Sequence, residues 1–257
     1  MTHIGNHRTR PPVPLTDRDR SGSYAVSAEF YDVLQADQDA ECVRRLYGED
    51  VEDARLGVLD VGAGTGRVTL MSLLGSRVCV HAVEPARSMR APLMTRLTSL
   101  PAAMRERVTV HPRPLDETGL DEVADVAICH NMIACVPPAS RDRLWPAVAD
   151  ALVPGGTFLL QLPPADLPEG ESTHVLTSQR VGEHEYGGRV VTSPEADRIR
   201  TRFDYWARAE DGVLIENSET FWMWPTPRAE MADDLREHGF VPLAERADPA
   251  VLALRNR

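Results

Sequence analysis

Short apolar runs and longer segments of helical period alternate through the middle of the chain. Val58-Leu59-Asp60-Val61, Val78 to Val83, Val108-Thr109-Val110, Val126 to Cys129 and Thr157 to Leu162 have the length of strands. Between them, segments such as Arg67–Leu74 and Arg141–Leu152 have helical length and period. Strands that alternate with helices predict βαβ units, and hence a parallel sheet covered on both faces. Upstream, Phe30, Leu34, Val43 and Leu46 fall near helical spacing and predict one helix or two short ones. Residues 1–20 show no apolar period and predict a disordered arm.

After Leu162 the alternation stops at Pro163-Pro164 and Pro168-Glu169-Gly170. The runs Ile199–Ala209 and Val213–Trp224, joined by Glu210-Asp211-Gly212, predict a hairpin within an antiparallel insertion. A two-residue and a three-residue loop give opposite pairings, so which hairpin face points inward stays open. Glu219 is either an ammonium partner or a solvated acid. Trp222 and Trp224 read as core or pocket wall, while His174 and His184 read as loop residues within reach of a substrate. Pro227 to His238 predicts a helix with Thr226 as N-cap and Gly239 as its stop. Two short strands, near Val241–Ala244 and Val251–Leu254, complete the chain.

The segment Asp60-Val61-Gly62-Ala63-Gly64-Thr65-Gly66-Arg67 follows a predicted strand and opens a predicted helix. Gly62 allows a tight turn, and Gly64 lets a ligand approach the backbone without meeting a Cβ. Glu84 ends the second strand 20 residues after Gly64, where an acid can hold ribose hydroxyls. The third glycine of a dinucleotide fingerprint would fall on Arg67. Asp60 would oppose a pyrophosphate and suits a cationic amino group better.

Asp60 to Gly66 resembles the first motif of class I S-adenosylmethionine-dependent methyltransferases. Val83-Glu84-Pro85 through Met89 is similar to their second motif, Val123 to Cys129 to their fourth strand, and Leu152 to Thr157 to the turn before their fifth. Together these span residues 58–162 in the family's order. The resemblance implies a Rossmann-like, mostly parallel seven-stranded sheet with helices on both faces. It implies that Asp60 and the backbone of Gly62, Ala63, Gly64 and Gly66 hold the methionine part of the cofactor. Glu84 then holds the ribose, and Pro85 and Met89 flank the adenine. His130 and Asn131 face the methionine–adenosine side. In the third motif Arg113 stands where the family often has Asp, with Leu115 beside it. Ala28-Glu29-Phe30-Tyr31-Asp32 is similar to a segment whose Tyr closes over the cofactor in amino-sugar and antibiotic N-methyltransferases. Tyr31, Tyr24 and His130 are the catalytic candidates, His130 because an imidazole at a strand's carboxyl end suits acid–base work.

The layout then reads as an arm (1–20), a helical lid (21–57), a cofactor-binding core (58–162), an antiparallel substrate cap (163–226) and a closing helix and strands (227–257). Composition narrows the partners. The 28 cationic residues are all arginine, against 39 acids, for a net charge of −11. That balance argues against nucleic acid as partner, and the absence of lysine excludes Schiff-base chemistry. No apolar stretch is long enough to span a membrane, and the N-terminal residues do not read as a secretory signal. Cys42, Cys79, Cys129 and Cys135 form no Cys-x-x-Cys pair, so no metal site is expected and the compartment reads as reducing cytoplasm. The expected activity is methyl transfer to nitrogen, or to oxygen with His130 as base, of a small secondary metabolite, in a chain that can be a homo-oligomer. The alternatives are an S-adenosylmethionine-binding protein that transfers no methyl, and a nicotinamide oxidoreductase.

Overall fold

The computed structural model describes residues 24–257, so the arm expected over 1–20 lies outside the described residues. The chain opens with helix α1 (Ser27–Asp53), a single helix rather than two. There follow β1 (Gly57–Val61), α2 (Arg67–Gly75), β2 (Cys79–Val83), α3 (Arg87–Thr98), α4 (Ala102–Arg105), β3 (Val108–His111) and β4 (Ala124–Cys129). Then come α5 (Pro138–Ala151) and β5 (Leu152–Gln161), five strands β6 to β10 between 172 and 223, α6 (Arg228–Glu237), β11 (Phe240–Pro242) and β12 (Val251–Asn256).

The main sheet has seven strands in the order β11-β12-β5-β4-β1-β2-β3. Six strands share one direction, and β12 alone runs antiparallel, between β5 and β11. This is the Rossmann-like sheet expected. The side-chain period of two splits each central strand between two cores. Leu59, Leu160 and Leu252 pack with Trp145 of α5 and Leu235 of α6 on one face. Their neighbours Val58, Leu159 and Val251 pack with α1, α2 and α3 on the other. Every residue of β1 is buried, as a strand covered on both faces must be. No helix among the described residues is long and apolar enough to cross a membrane.

A second, antiparallel sheet has the order β10-β9-β8-β6, with β7 (Gln179–Val181) beside β8. Its hairpin joins β9 (Arg198–Ala209) to β10 (Gly212–Met223), with Ala209 opposite Gly212. The loop therefore has two residues, Glu210-Asp211. That register puts Thr201, Phe203, Tyr205, Phe221 and Met223 on the inward face. Trp222 is a correction: it lies on the opposite face, with the Arg198 guanidinium 3.9 Å above its ring. The strands β6 (Ser172–Val175) and β8 (His184–Glu195) have no counterpart in the sequence reading, because β6 is exposed throughout and carries no apolar alternation.

Helix α1 joins the two sheets. Val43, Leu46, Tyr47 and Val51 belong to the main core. Phe30 and Leu34 form a separate small cluster with Tyr205, where Phe30 stacks on Tyr205 at 4.8 Å. Thr226 does not cap α6. Pro227 holds that position without a side-chain cap, because the buried Arg141 recruits the Thr226 hydroxyl at 2.9 Å.

Candidate active site

A cavity of about 440 Å³ lies at the carboxyl ends of β1, β2 and β4, under the inward face of the antiparallel sheet. Its floor is the loop from β1 to α2. Gly62 has φ +76°, and a Cβ there would stand 2.7 Å from Met132 Cγ. Gly66 has φ +95°, and a Cβ there would meet Leu93 at 2.5 Å. Both positions need glycine for conformation and for space.

Two acids define the electrostatics. Asp60 is fully buried, and desolvation pushes its carboxyl up to about 7, against the Thr69 hydroxyl donating to Oδ2 at 2.5 Å. The charge of Glu84 raises it further. Burial pushes Glu84 up as well, opposed by the N–H groups of Ala86 and Gly64, which donate to its two oxygens at 2.7 Å each. Two buried carboxylates sharing a cavity leave it short of positive charge. A ligand carrying a cationic amino group and a sulfonium meets that need, and a vicinal diol can donate to the remaining lone pairs of Glu84. Pro85, Ala86, Met89 and Leu115 supply apolar wall on the same side.

Of the residues singled out in sequence, Tyr24, Tyr31, Asp60, Gly62, Ala63, Gly64, Glu84, Pro85, Met89, Leu115, His130 and Asn131 all line this cavity. Gly66 does not; it stands behind the loop as the N-cap of α2. Arg113 is corrected: it is exposed and outside the lining, because the turn at Pro112 to Pro114 brings Leu115 and Asp116 to the wall instead. His174 and His184 are exposed and stand away from the cavity. His111 also ends a strand, β3, where its Nε2 lies 3.2 Å from His81 Nδ1.

Several partnerships were invisible in the sequence. Asp32, next to Tyr31, accepts from the Thr65 hydroxyl at 2.8 Å and from Arg67 at 2.9 Å, and pairs with Arg96 at 2.5 Å. Helix α1 is thus tied to the glycine loop, and Arg67 has a structural role there. Asn131 adopts φ +50°. Its N–H donates to Gln161 Oε1 at 2.7 Å, and its amide donates to the Tyr31 hydroxyl at 3.3 Å. Tyr24 stacks on Phe221 at 4.8 Å, and burial pushes its phenol up. Burial pushes the His130 imidazole down to about 4, so it is neutral at physiological pH.

Glu219 is half-buried and outside the cavity lining. It accepts from the backbone N–H of Ser27 at 2.7 Å and so caps α1, which has no cap of its own. The Tyr205 hydroxyl donates to Ser27 Oγ at 3.2 Å beside it. Removing this cap in Glu219→Ala should cost about 0.5–2 kcal/mol. It should also speed amide exchange at the start of α1 while leaving β1 and β4 protected. An unchanged urea midpoint together with unchanged exchange over residues 27–30 would contradict the capping role.

Residues 58–156 match the methyltransferase domain family. No curated protein matches the chain. Among solved structures, the sugar N-methyltransferase KedS8 from a Streptoalloteichus species is 20% identical, with TM-score 0.68, over 100% of this chain and 99% of that one. DesVI from Streptomyces venezuelae is 14% identical, with TM-score 0.71, over 90% and 98%. CalS10, an S-adenosylmethionine-bound amino pentose methyltransferase from Micromonospora echinaspora, is 17% identical, with TM-score 0.67, over 99% and 100%. The family match, the sheet order and the acid-lined glycine cradle agree: residues 58–156 resemble a methyltransferase domain, and the fold is the Rossmann-like one of the solved methyltransferases.

Proposed function

We propose that the protein transfers a methyl group to a nitrogen of a small molecule, an amino sugar or an antibiotic precursor. The observation that carries this reading is the cavity itself. Its upper wall, Tyr24, Phe203, Tyr205 and Phe221, is aromatic, and the imidazole in it, held down to about 4, is a poor base. A neutral amine needs alignment rather than a base, and alignment can supply on the order of 7–11 kcal/mol. The sugar and amino pentose methyltransferases of similar fold support the same class of acceptor.

In this reading Asp60 and the Gly62–Gly64 backbone hold the methionine end, Glu84 the ribose, and Pro85, Met89 and Leu115 the adenine. When bound, S-adenosylmethionine supplies a methyl on a sulfonium, which departs with its bonding pair left on sulfur as the acceptor's lone pair forms the new bond. The chain's own work is to bind, align and exclude water. Tyr24 and Tyr31, on the lid side, close the cavity, and Phe203 and Phe221 bear on the acceptor.

The test is incubation with S-adenosylmethionine and a panel of amino sugars and aminoglycosidic precursors, each paired with its deaminated hydroxy analogue. A mass gain of one methylene unit on the amines alone, with S-adenosylhomocysteine formed in equal amount, is the expected result. Methylation of the hydroxy analogues at equal rate would overturn the choice of nitrogen.

A further inference from the structure

Tyr47 belongs to the apolar stripe of α1 and is fully buried. Its hydroxyl nevertheless lies 3.1 Å from Nδ1 of His130, with the two rings edge-on at 83°. Among the described residues this nitrogen is the one hydrogen-bond partner of the Tyr47 hydroxyl. A buried phenol proton without an acceptor bears its full desolvation penalty.

That accounting decides the tautomer. A proton on Nδ1 would donate to the Tyr47 oxygen and leave the phenol's own proton without an acceptor. A proton on Nε2 satisfies both groups, because the phenol donates to Nδ1. Burial pushes the Tyr47 phenol up, so its proton stays in place. His130 lines the cavity, and with Nδ1 engaged it is the Nε2 edge that remains for a ligand.

We propose that Tyr47 is a positioning residue that locks His130 as the Nε2–H tautomer, making it a hydrogen-bond donor into the cavity rather than a base. Building on the amine reading above, His130 then grips an oxygen lone pair of the acceptor, and the acceptor class is an amine that carries a hydroxyl or ether oxygen close to the nitrogen. A donor aimed at the nitrogen itself would occupy the lone pair that must attack. No proton passes to His130; the one shed by the methylated ammonium goes to solvent.

The test uses the full chain labelled with ¹⁵N on histidine, with long-range ¹H–¹⁵N correlation of the imidazole rings. His130 is assigned by the signals lost in His130→Gln. The expected result is a bare Nδ1 and a protonated Nε2 in the parent chain, and a mixture of tautomers in Tyr47→Phe, with thermal unfolding of the variant recorded alongside to show that it folds. A protonated Nδ1 in the parent chain would overturn the proposal, as would an unchanged Nε2–H tautomer in folded Tyr47→Phe. Should Tyr47→Phe fail to fold, the parent spectrum with and without S-adenosylhomocysteine decides: a pure Nε2–H tautomer in both supports the lock, and a mixture in either defeats it. None of these readouts requires an acceptor, so a failure to methylate amines and a failure of the tautomer assignment are distinguished.

Discussion

Replacing Glu84 by alanine is expected to weaken binding of S-adenosylhomocysteine on the order of 10²–10⁴-fold. Two charge-assisted hydrogen bonds to ribose hydroxyls are worth about 1.5–3 kcal/mol each, and each 1.4 kcal/mol is about tenfold. The carboxylate also organises the cradle itself, since its two oxygens accept from Gly64 and Ala86. Glu84→Ala therefore leaves two backbone donors without their partner and loosens the loop on which Gly62 and Gly64 sit. Calorimetric titration measures the loss. Glu84→Gln, which keeps the shape and one acceptor oxygen, should fall between the two. Binding by Glu84→Ala within tenfold of the parent chain would remove Glu84 from the ribose site.

The second large effect is a pH dependence that runs opposite to ordinary acid unfolding. The folded state holds Asp60 up at about 7, from an ordinary value of 3.8. Between those values the folded chain binds a proton that the unfolded chain has lost, so Asp60 contributes stability at low pH that declines as pH climbs from about 4 to about 7. Asp125 and Asp204, held below the ordinary range by backbone N–H groups and by arginine respectively, contribute in the opposite direction. The difference between the parent chain and Asp60→Asn isolates the effect: the gap in unfolding midpoint should open in favour of Asp60→Asn as pH rises to 7. The same protonation couples to ligand binding. A cationic amino group holds Asp60 ionised, so binding S-adenosylhomocysteine at pH 6 should release nearly a full proton. Titrations in two buffers of different ionisation enthalpy count it, and equal heats in both would contradict a protonated Asp60.

What the sequence disclosed and what it withheld divide along a physical line. The strands β1 to β5 and the glycine loop were legible because their signals are local: apolar runs of strand length, and glycines just after one of them. The hairpin β9–β10 was legible for the same reason, but its inward face was not, because one residue of loop length reverses it. Trp222 consequently went to the outer face under Arg198. Strand β6 is short and mostly polar, and β8 carries two adjacent glycines among polar residues, so no period marked them. Through-space partners were the least legible. Asp32 reads as one more acid until Thr65, Arg67 and Arg96 are seen around it. Tyr47 reads as core until its hydroxyl is seen on His130. Arg113 was misplaced because motif alignment counts residues, whereas the short helical turn at Leu115–Glu117 decides which of them reach the wall.

Helix α1 is anchored unevenly. Its later turns share the large apolar core of the main sheet, while its first turns are held by the small cluster of Phe30, Leu34 and Tyr205, by Glu219 and by the polar contacts of Asp32. Sub-global opening takes the weakest packed unit first, so the first turns can lift while Val43 to Val51 stay seated. A molecule that leaves the cavity past Tyr24 and Tyr31 is expected to wait for that event. Product release by that route is then expected to depend on the anchors of those turns as well as on the affinity of the cradle. Variants that strengthen the cluster should slow turnover by slowing release.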